Sequence, residues 1–411
     1  MQKALKLVGP YLDGLCQEMA ASAAYLRQAG LFIRTIYIGG GTPTTLTAPQ
    51  LERLLTQVEQ CFDLSRLTEY TVEAGRPDTI TADKLAVLKA HHVDRVSVNP
   101  QSMEDTVLEA MGRTPLIRLN RLAEPGAAEI LVKFEGVNVG GSVKTRTAFQ
   151  MIEEAEKRGE IGPDSIIVEP TSGNQGIGLA LVCAVRGYRA RIIMPDSVSV
   201  ERRKLVQHYG AEVVIVHDDG DIGKCIAECI AIAERMAAED PHVYVPQQFE
   251  NEDNLFAHKY HTALEIVEDV EGPVHGFCSG IGTGGTISGV GQILKRLYPE
   301  VRIWAVEPEN AAILSGGGIG THLQMGIGDG LIPDILDQHI YDDICIVSDE
   351  EAIDTARALA REEGLLCGVS SGTNVAAARR LARTLGPGKT VVTLLPDTGE
   401  RYFSTALFDG E

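Results

Sequence analysis

Four glycine-rich turns constrain this chain more than any other feature, because each opens onto a helical pattern. They are Lys133–Arg146, Glu169–Gly176, Gly280–Gly289 and Cys367–Thr373. Short, β-branched, apolar runs at Ile166–Glu169, Arg191–Met194, Glu212–Val216, Ile303–Val306 and Thr390–Leu395 share the chain with helical patterns at Thr147–Arg158, Gly176–Arg186, Ser199–Tyr209, Glu350–Glu363 and Asn374–Leu385. Strands of that kind suit a sheet buried on both faces, and strand–helix alternation implies parallel strands covered by helices. With 411 residues the chain exceeds one ordinary core, so two or more domains are expected.

Composition narrows the class. Hydrophobic residues make up 44% and charged residues 23%, the proportions of a soluble globular protein. No apolar run is long enough to cross a bilayer, so no membrane partner is expected. The first residues lack the apolar core of a secretory signal, which points to the cytoplasm. A net charge of −20 would repel a phosphate backbone, which argues against nucleic acid as a partner. The eight scattered cysteines are read as reduced thiols. Cys225 and Cys229 stand four apart, on one helix face, and a core-facing pair is expected there rather than a metal site.

Each turn has its own chemistry. Lys144 stands near the start of a helical pattern, where the helix dipole and nearby Arg146 are expected to favour a neutral amine, the form a Schiff base requires. Gly280–Gly289 follows the apolar stretch Val274–Cys278. Its glycines expose backbone N–H groups, its threonines add hydroxyls, and the helix start adds positive potential, a combination that binds phosphate. It lacks the Lys-Ser/Thr of a P-loop. The turn from Glu169 to Gly176 offers hydroxyls, an amide and helix-start N–H groups, which suit a carboxylate. Taken alone, that turn and Cys367–Thr373 read as capped helix starts.

Residues 1–102 also alternate: helix Tyr11–Ala29, strand Thr35–Ile38, helix Ala48–Phe62, strand Glu69–Val72, helix Ala82–His91 and strand Arg95–Val98. Three runs, Y-I-G-G-G-T-P-T from Tyr37, T-V-E-A-G-R-P-D-T-I-T from Thr71 and R-V-S-V-N-P-Q-S-M-E-D-T-V-L-E-A-M-G-R from Arg95, resemble radical-SAM enzymes related to oxygen-independent coproporphyrinogen oxidase. That family holds an iron–sulfur centre in a C-x3-C-x2-C pattern. This stretch has only Cys16 and Cys61, far apart, so radical chemistry is not expected. The segment, over residues 1–113, resembles a truncated, partial (β/α) barrel-like fragment, with a residual adenosyl site conceivable only at Gly39–Thr42. The first resemblance gives way to a second around Gly112–Pro115, which suggests a fusion, with domains at 1–102 and 103–411.

From residue 103 onward, the four turns in this order, with M-P-D-S-V-S-V-E-R-R-K-L-V, P-Q-Q-F-E-N and P-D-T-G-E-R-Y-F-S-T-A-L-F, resemble the cysteine synthase (O-acetylserine sulfhydrylase) and cystathionine β-synthase family. The resemblance implies an α/β protein of pyridoxal 5'-phosphate (PLP) fold type II: two α/β subdomains with mainly parallel sheets. It also implies a homodimer whose partners are an amino-acid substrate and sulfide or a thiol. Lys144 would hold the cofactor and move the α-proton. Asn174 would bond its ring oxygen, Gly282, Thr283, Gly284, Gly285 and Thr286 would cradle its phosphate, and Ser370 would face the pyridine nitrogen. Thr171, Ser172, Gln175 and Gln248 would grip the substrate carboxylate. The expected reaction is β-replacement, with O-acetyl-L-serine and sulfide giving L-cysteine. The alternative uses cysteine or serine, releasing sulfide or making cystathionine, and a binding module built on a regulatory PLP domain is the rival from another class.

Four positions depart from the family's pattern: Val139 in place of proline, Thr145 in place of aspartate, Gln175 where threonine is common, and Asp329 in the loop Gly326–Gly330, where a small or aromatic residue is usual. None removes a catalytic atom. Gln175 would reshape the carboxylate grip. Asp329 would act as a base toward water or a thiol, or attract a second amino group.

Overall fold

The computed structural model describes residues 8–39, 43–73, 80–97, 107–171, 173–220 and 222–408. The chain forms two compact units, residues 1–105 and 106–411. Most of the Gly39–Thr42 loop, the junction at 98–106 and Ser172 lie outside the described residues.

In the first unit, helices α1 (Val8–Ala29), α2 (Ala48–Cys61) and α3 (Ala82–Ala90) alternate with strands β1 (Thr35–Ile38), β2 (Glu69–Glu73) and β3 (Arg95–Ser97). The strands form a parallel sheet in the order β1-β2-β3. Leu51, Leu55 and Val58 recur at helical spacing on α2 and pack with Tyr70, Val72 and Leu88 in one small core.

The second unit holds two sheets. Strands β4 (Leu116–Arg118), β5 (Glu129–Phe134), β10 (Gly276–Gly280), β11 (Arg302–Pro308), β12 (Asp343–Val347) and β13 (Thr390–Leu395) form one, in the order β12-β11-β10-β13-β5-β4. All pairs are parallel except β4–β5. Strands β6 (Ile166–Pro170), β7 (Arg189–Pro195), β8 (Glu212–Val216) and β9 (Val243–Tyr244) form a second, all-parallel sheet, ordered β8-β7-β6-β9. The strand period of two explains the layering. Along β13, Val391 and Leu395 enter one core, while Val392 and Leu394 enter another on the opposite face. On β7, Ile192 and Met194 face one core and Ile193 faces the core that holds Cys225 and Cys229, as expected of that pair. Covering both faces with helices is what a parallel sheet requires.

The helix that begins at Lys144 is α4 (Lys144–Arg158), three residues longer at its start than the sequence pattern indicates. Gly140 and Gly141 precede it with φ of 75° and 70°, a left-handed pair that only glycine adopts readily. A cluster of buried charges anchors this helix. Arg146 Nε and Nη2 donate to the two Glu135 oxygens at 2.8 and 2.9 Å. Nη1 and Nη2 donate to Glu265 at 2.6 and 2.8 Å. Lys133, fully buried, pairs with Glu265 at 3.0 Å and donates to Thr114 O at 2.6 Å. Burial pushes the Glu265 carboxyl up, but Arg146 and Lys133 outweigh it and hold it at about 2.

Replacing Arg146 with methionine leaves Glu135 buried with its main cation gone, a loss expected to cost about 3–5 kcal/mol. Urea unfolding followed by Trp304, the chain's one tryptophan, measures it. A midpoint equal to the parent's would refute the anchoring role.

Candidate active site

Two strand ends and the start of a third helix deliver the polar groups. Pro170 ends β6 and leads through Thr171 into α5 (Asn174–Arg186); Gly280 ends β10 and leads through Gly282–Gly284 into α10 (Gly285–Leu297). Ser370 lies in the first turn of α12 (Val369–Leu385). One cavity at these carboxyl ends is lined by Lys144, Thr171, Asn174, Gln175, Gln248, Gly282, Thr283, Gly284, Thr286, Asp329 and Ser370. Open parallel sheets bind ligands at this end, where loops from several strands converge. Every site residue expected from the sequence therefore lines one cavity, with two exceptions. Gly285 lies just behind the lining at the start of α10, and Ser172 is outside the described residues.

Lys144 Nζ lies 3.4 Å from Thr283 Oγ1, so the amine abuts the glycine turn. Burial lowers its pKa from 10.5 to about 8, with the carboxylates of Asp329 and Glu169 pulling partly the other way. The expectation that Arg146 would favour the neutral amine is not met, because that guanidinium is held by Glu135 and Glu265. Desolvation does the work instead. Burial also raises the Asp329 carboxyl, against the opposing pull of Lys144, His322 and Arg202. Glu169 is pushed up to about 7 by burial, though it accepts the backbone N–H groups of Gln247 and Gln248 at 3.0 and 3.1 Å. That carboxylate fixes the segment carrying Gln248.

The glycine turn has the shape of an anion cradle. A Cβ at Gly282 would stand 2.6 Å from Gly326 O, and Gly284, at φ 79°, would press one to 2.7 Å from Leu336. At Gly285 it would strike Asn254 Oδ1. Only glycine allows this close approach, with the N-terminus of α10 behind it. Gln175 Oε1 accepts from Thr147, while its Nε2 is buried without a partner in the structure, a donor suited to a carboxylate oxygen. A buried amine of lowered pKa beside a phosphate cradle, with a free donor across from it, fits a phosphorylated aldehyde cofactor and an amino-acid substrate.

Comparison with known proteins agrees. The model of the family described as pyridoxal-phosphate-dependent enzymes matches residues 107–397. The chain belongs to this family. Cysteine synthase from Staphylococcus aureus is 46% identical over 309 residues, covering 75% of this chain and 98% of the relative. The structure of O-ureido-L-serine synthase is 41% identical with a TM-score of 0.70, covering 75% of this chain and 96% of the other. A hydrogen sulfide-producing enzyme from Fusobacterium nucleatum is 40% identical with a TM-score of 0.69, covering 73% and 100%. Members of this family use PLP, and the fold is the expected type II α/β architecture. The family match starts at residue 107 and gives no support to the radical-SAM likeness of the preceding segment.

Sequence reasoning missed the residues behind the lining. Asn254 Nδ2 donates to Gln248 O at 2.8 Å and Thr283 Oγ1 at 3.0 Å, tying the carboxylate-side glutamine to the phosphate turn. His258 Nε2 lies 3.3 Å from Thr286 Oγ1. Asp397 and Arg401 hydrogen-bond Asn174, and Tyr402 donates to Asp397 in turn; their signal was the P-D-T-G-E-R-Y run.

The pKa of Lys144 predicts the pH dependence of cofactor capture. Only the neutral amine attacks an aldehyde, so the capture rate by cofactor-stripped protein should rise about tenfold per pH unit up to about 8 and level off above it. Growth of the visible absorption band gives the rate. A rise continuing toward 10.5 would mean the amine is not desolvated.

Proposed function

We propose that this protein makes L-cysteine, replacing the acetoxy group of O-acetyl-L-serine with sulfide. The observation that carries this reading is the buried Lys144 amine, set between the Gly282–Thr286 turn and the Thr171–Gln175 turn. Bound PLP supplies the electron sink that makes a Cα proton removable. The protein's residues do the rest. Lys144 would hold the cofactor and, once free, would take the Cα proton on Nζ. Thr171, Ser172, Gln175 and Gln248 hold the substrate carboxylate and so orient the Cα–H bond toward Nζ. Gly282 through Thr286 would hold the phosphate, and Asn174 would donate to the ring oxygen. Ser370 would offer the pyridine nitrogen a neutral hydroxyl, which would leave it unprotonated and favour loss of the β-substituent. The chain's kinship with the S. aureus cysteine synthase over almost that enzyme's whole length supports the choice of substrate.

A second reading rests on Asp329. Its carboxyl lines the same cavity with no hydrogen-bond partner among the described residues, and burial raises its pKa. A carboxylate there serves as a base toward water or a thiol, which fits an enzyme that takes cysteine or serine and releases sulfide or forms cystathionine. The Fusobacterium relative bears the name of a sulfide producer. We place the enzyme in the cytoplasm as a homodimer, acting on small molecules, with residues 1–102 as an adjoined fragment and 103–411 as the catalytic domain.

A product assay with O-acetylserine, cysteine and serine, each offered sulfide or homocysteine, tests both readings. The expected outcome is cysteine from O-acetylserine and sulfide as the fastest reaction. Faster sulfide release from cysteine would favour the second reading. Asp329→Asn should then slow that release about 10²-fold or more and leave the O-acetylserine reaction within a few-fold; equal loss in both would remove the special role of Asp329. Lys144→Ala should lose the visible band and turnover together.

A further inference from the structure

Asn174 borders the cavity, and its amide is held at both ends by charged groups standing behind the lining. Nδ2 donates to Asp397 Oδ2 at 2.7 Å. Oδ1 accepts from Arg401 Nη1 at 2.6 Å. Asp397 is fully buried and Arg401 nearly so. The same Asp397 oxygen accepts from Tyr402 Oη at 2.7 Å, and that hydroxyl accepts from Arg202 Nη2 at 2.8 Å. Arg401 also donates to Gly140 O in the turn before Lys144, and Asp397 bridges to Ser142 through the backbone.

An asparagine amide is nearly symmetric in shape, so only its hydrogen-bond partners decide which atom faces which way. Here a carboxylate sits at the donor end and a guanidinium at the acceptor end. Turning the amide over would set Oδ1 against a carboxylate and Nδ2 against a guanidinium, repulsive contacts in a water-poor interior. We propose that Asp397 and Arg401 are positioning residues that lock the Asn174 amide, so that its second Nδ2–H is always the group offered to the cofactor's ring oxygen. The lock rests on the assignment of Asn174 to that oxygen under the proposed function. A donor there stabilises the ionised ring oxygen; an amide free to turn presents Oδ1, which demands a proton on the ring oxygen.

The test is the absorption spectrum of the full-length holoenzyme across pH, since ionised and protonated ring oxygens absorb in the visible and near-ultraviolet respectively. Asp397→Ala and Arg401→Met remove opposite charges but free the same amide. Both should raise the near-ultraviolet to visible ratio, by roughly threefold or more at neutral pH. Asp397→Asn, which keeps an acceptor, should return the ratio to near the parent's. Shifts in opposite directions would mean that only charge is felt, and no shift would mean a purely structural role; either overturns the lock. Asp397→Ala is decisive alone, because loss of its negative charge by itself would lower the ratio; if it does not fold, Arg401→Met together with Asp397→Asn decides, since a pure charge effect lowers the ratio in Asp397→Asn and the lock leaves it near the parent's. Asn174→Ala separates the two layers. If it moves the ratio and neither Asp397→Ala nor Arg401→Met does, the lock alone fails; if it leaves the spectrum unchanged, the ring-oxygen assignment itself is wrong.

Discussion

The buried pairing of Arg146 with Glu135 and Glu265 is the contact on which the site's geometry depends. Arg146 stands two residues after Lys144 on the same helix, so whatever fixes the guanidinium fixes the first turn carrying the reactive amine. Glu135 ties the helix to the end of β5, and Glu265 ties it to the helix Ala263–Asp269. An apolar contact would tolerate sliding, because dispersion is non-directional. Two carboxylates gripping one planar fork do not, since each hydrogen bond carries a direction. Buried charge is a costly way to gain stability, but here it yields a position.

That position gives meaning to the depressed pKa of Lys144. The lysine is surrounded by acid: the chain is strongly anionic, and Asp329 and Glu169 both bear on the amine. Coulomb attraction by itself would keep the ammonium form. Desolvation wins because the Lys144 amine is buried in a cavity lined mostly by backbone, apolar, hydroxyl and amide groups, and that burial outweighs the pull of Asp329 and Glu169. The two carboxyls are weakened as opponents by the same burial, which raises the pKa of each. One physical cause, removal of water, thus moves the base and both of its acidic neighbours toward their uncharged forms.

The architecture was legible in the sequence to the extent that period reveals it. Strand Thr390–Leu395 coincides with its apolar run because it is buried along its whole length, and the edge strand Glu212–Val216 does so although Glu212 and Ile215 are exposed. Helix starts were less legible. α4 begins at Lys144 and α12 at Val369, each inside a glycine-rich turn whose composition signals loop. The lining residues were readable because the turns that bear chemistry are contiguous. Asn254, His258, Asp397 and Arg401 were not, since their roles arise from contacts across more than twenty residues of sequence, which no local pattern encodes. Arg146 shows the converse error: proximity in sequence to Lys144 suggested an influence on the amine, whereas burial, Asp329 and Glu169 are what act on it.

What separates one member of this family from another is then a matter of few atoms. The amine, the phosphate turn and the buried network prepare any β-substituted amino acid for elimination, and none of them distinguishes sulfide from a larger nucleophile. Under the proposed function, discrimination falls to the other groups of the cavity wall, among them Arg202, Met325, Gly326 and Asp329. Gly326, Gly328 and Gly330 all have positive φ, so the loop holds a backbone course that side chains resist. Within it Asp329 is the one titratable group. Its carboxyl, raised by burial, lines the cavity with no hydrogen-bond partner among the described residues. Asp329 is thus the position at which the two readings of the function part, one leaving its carboxyl a bystander and the other making it a base.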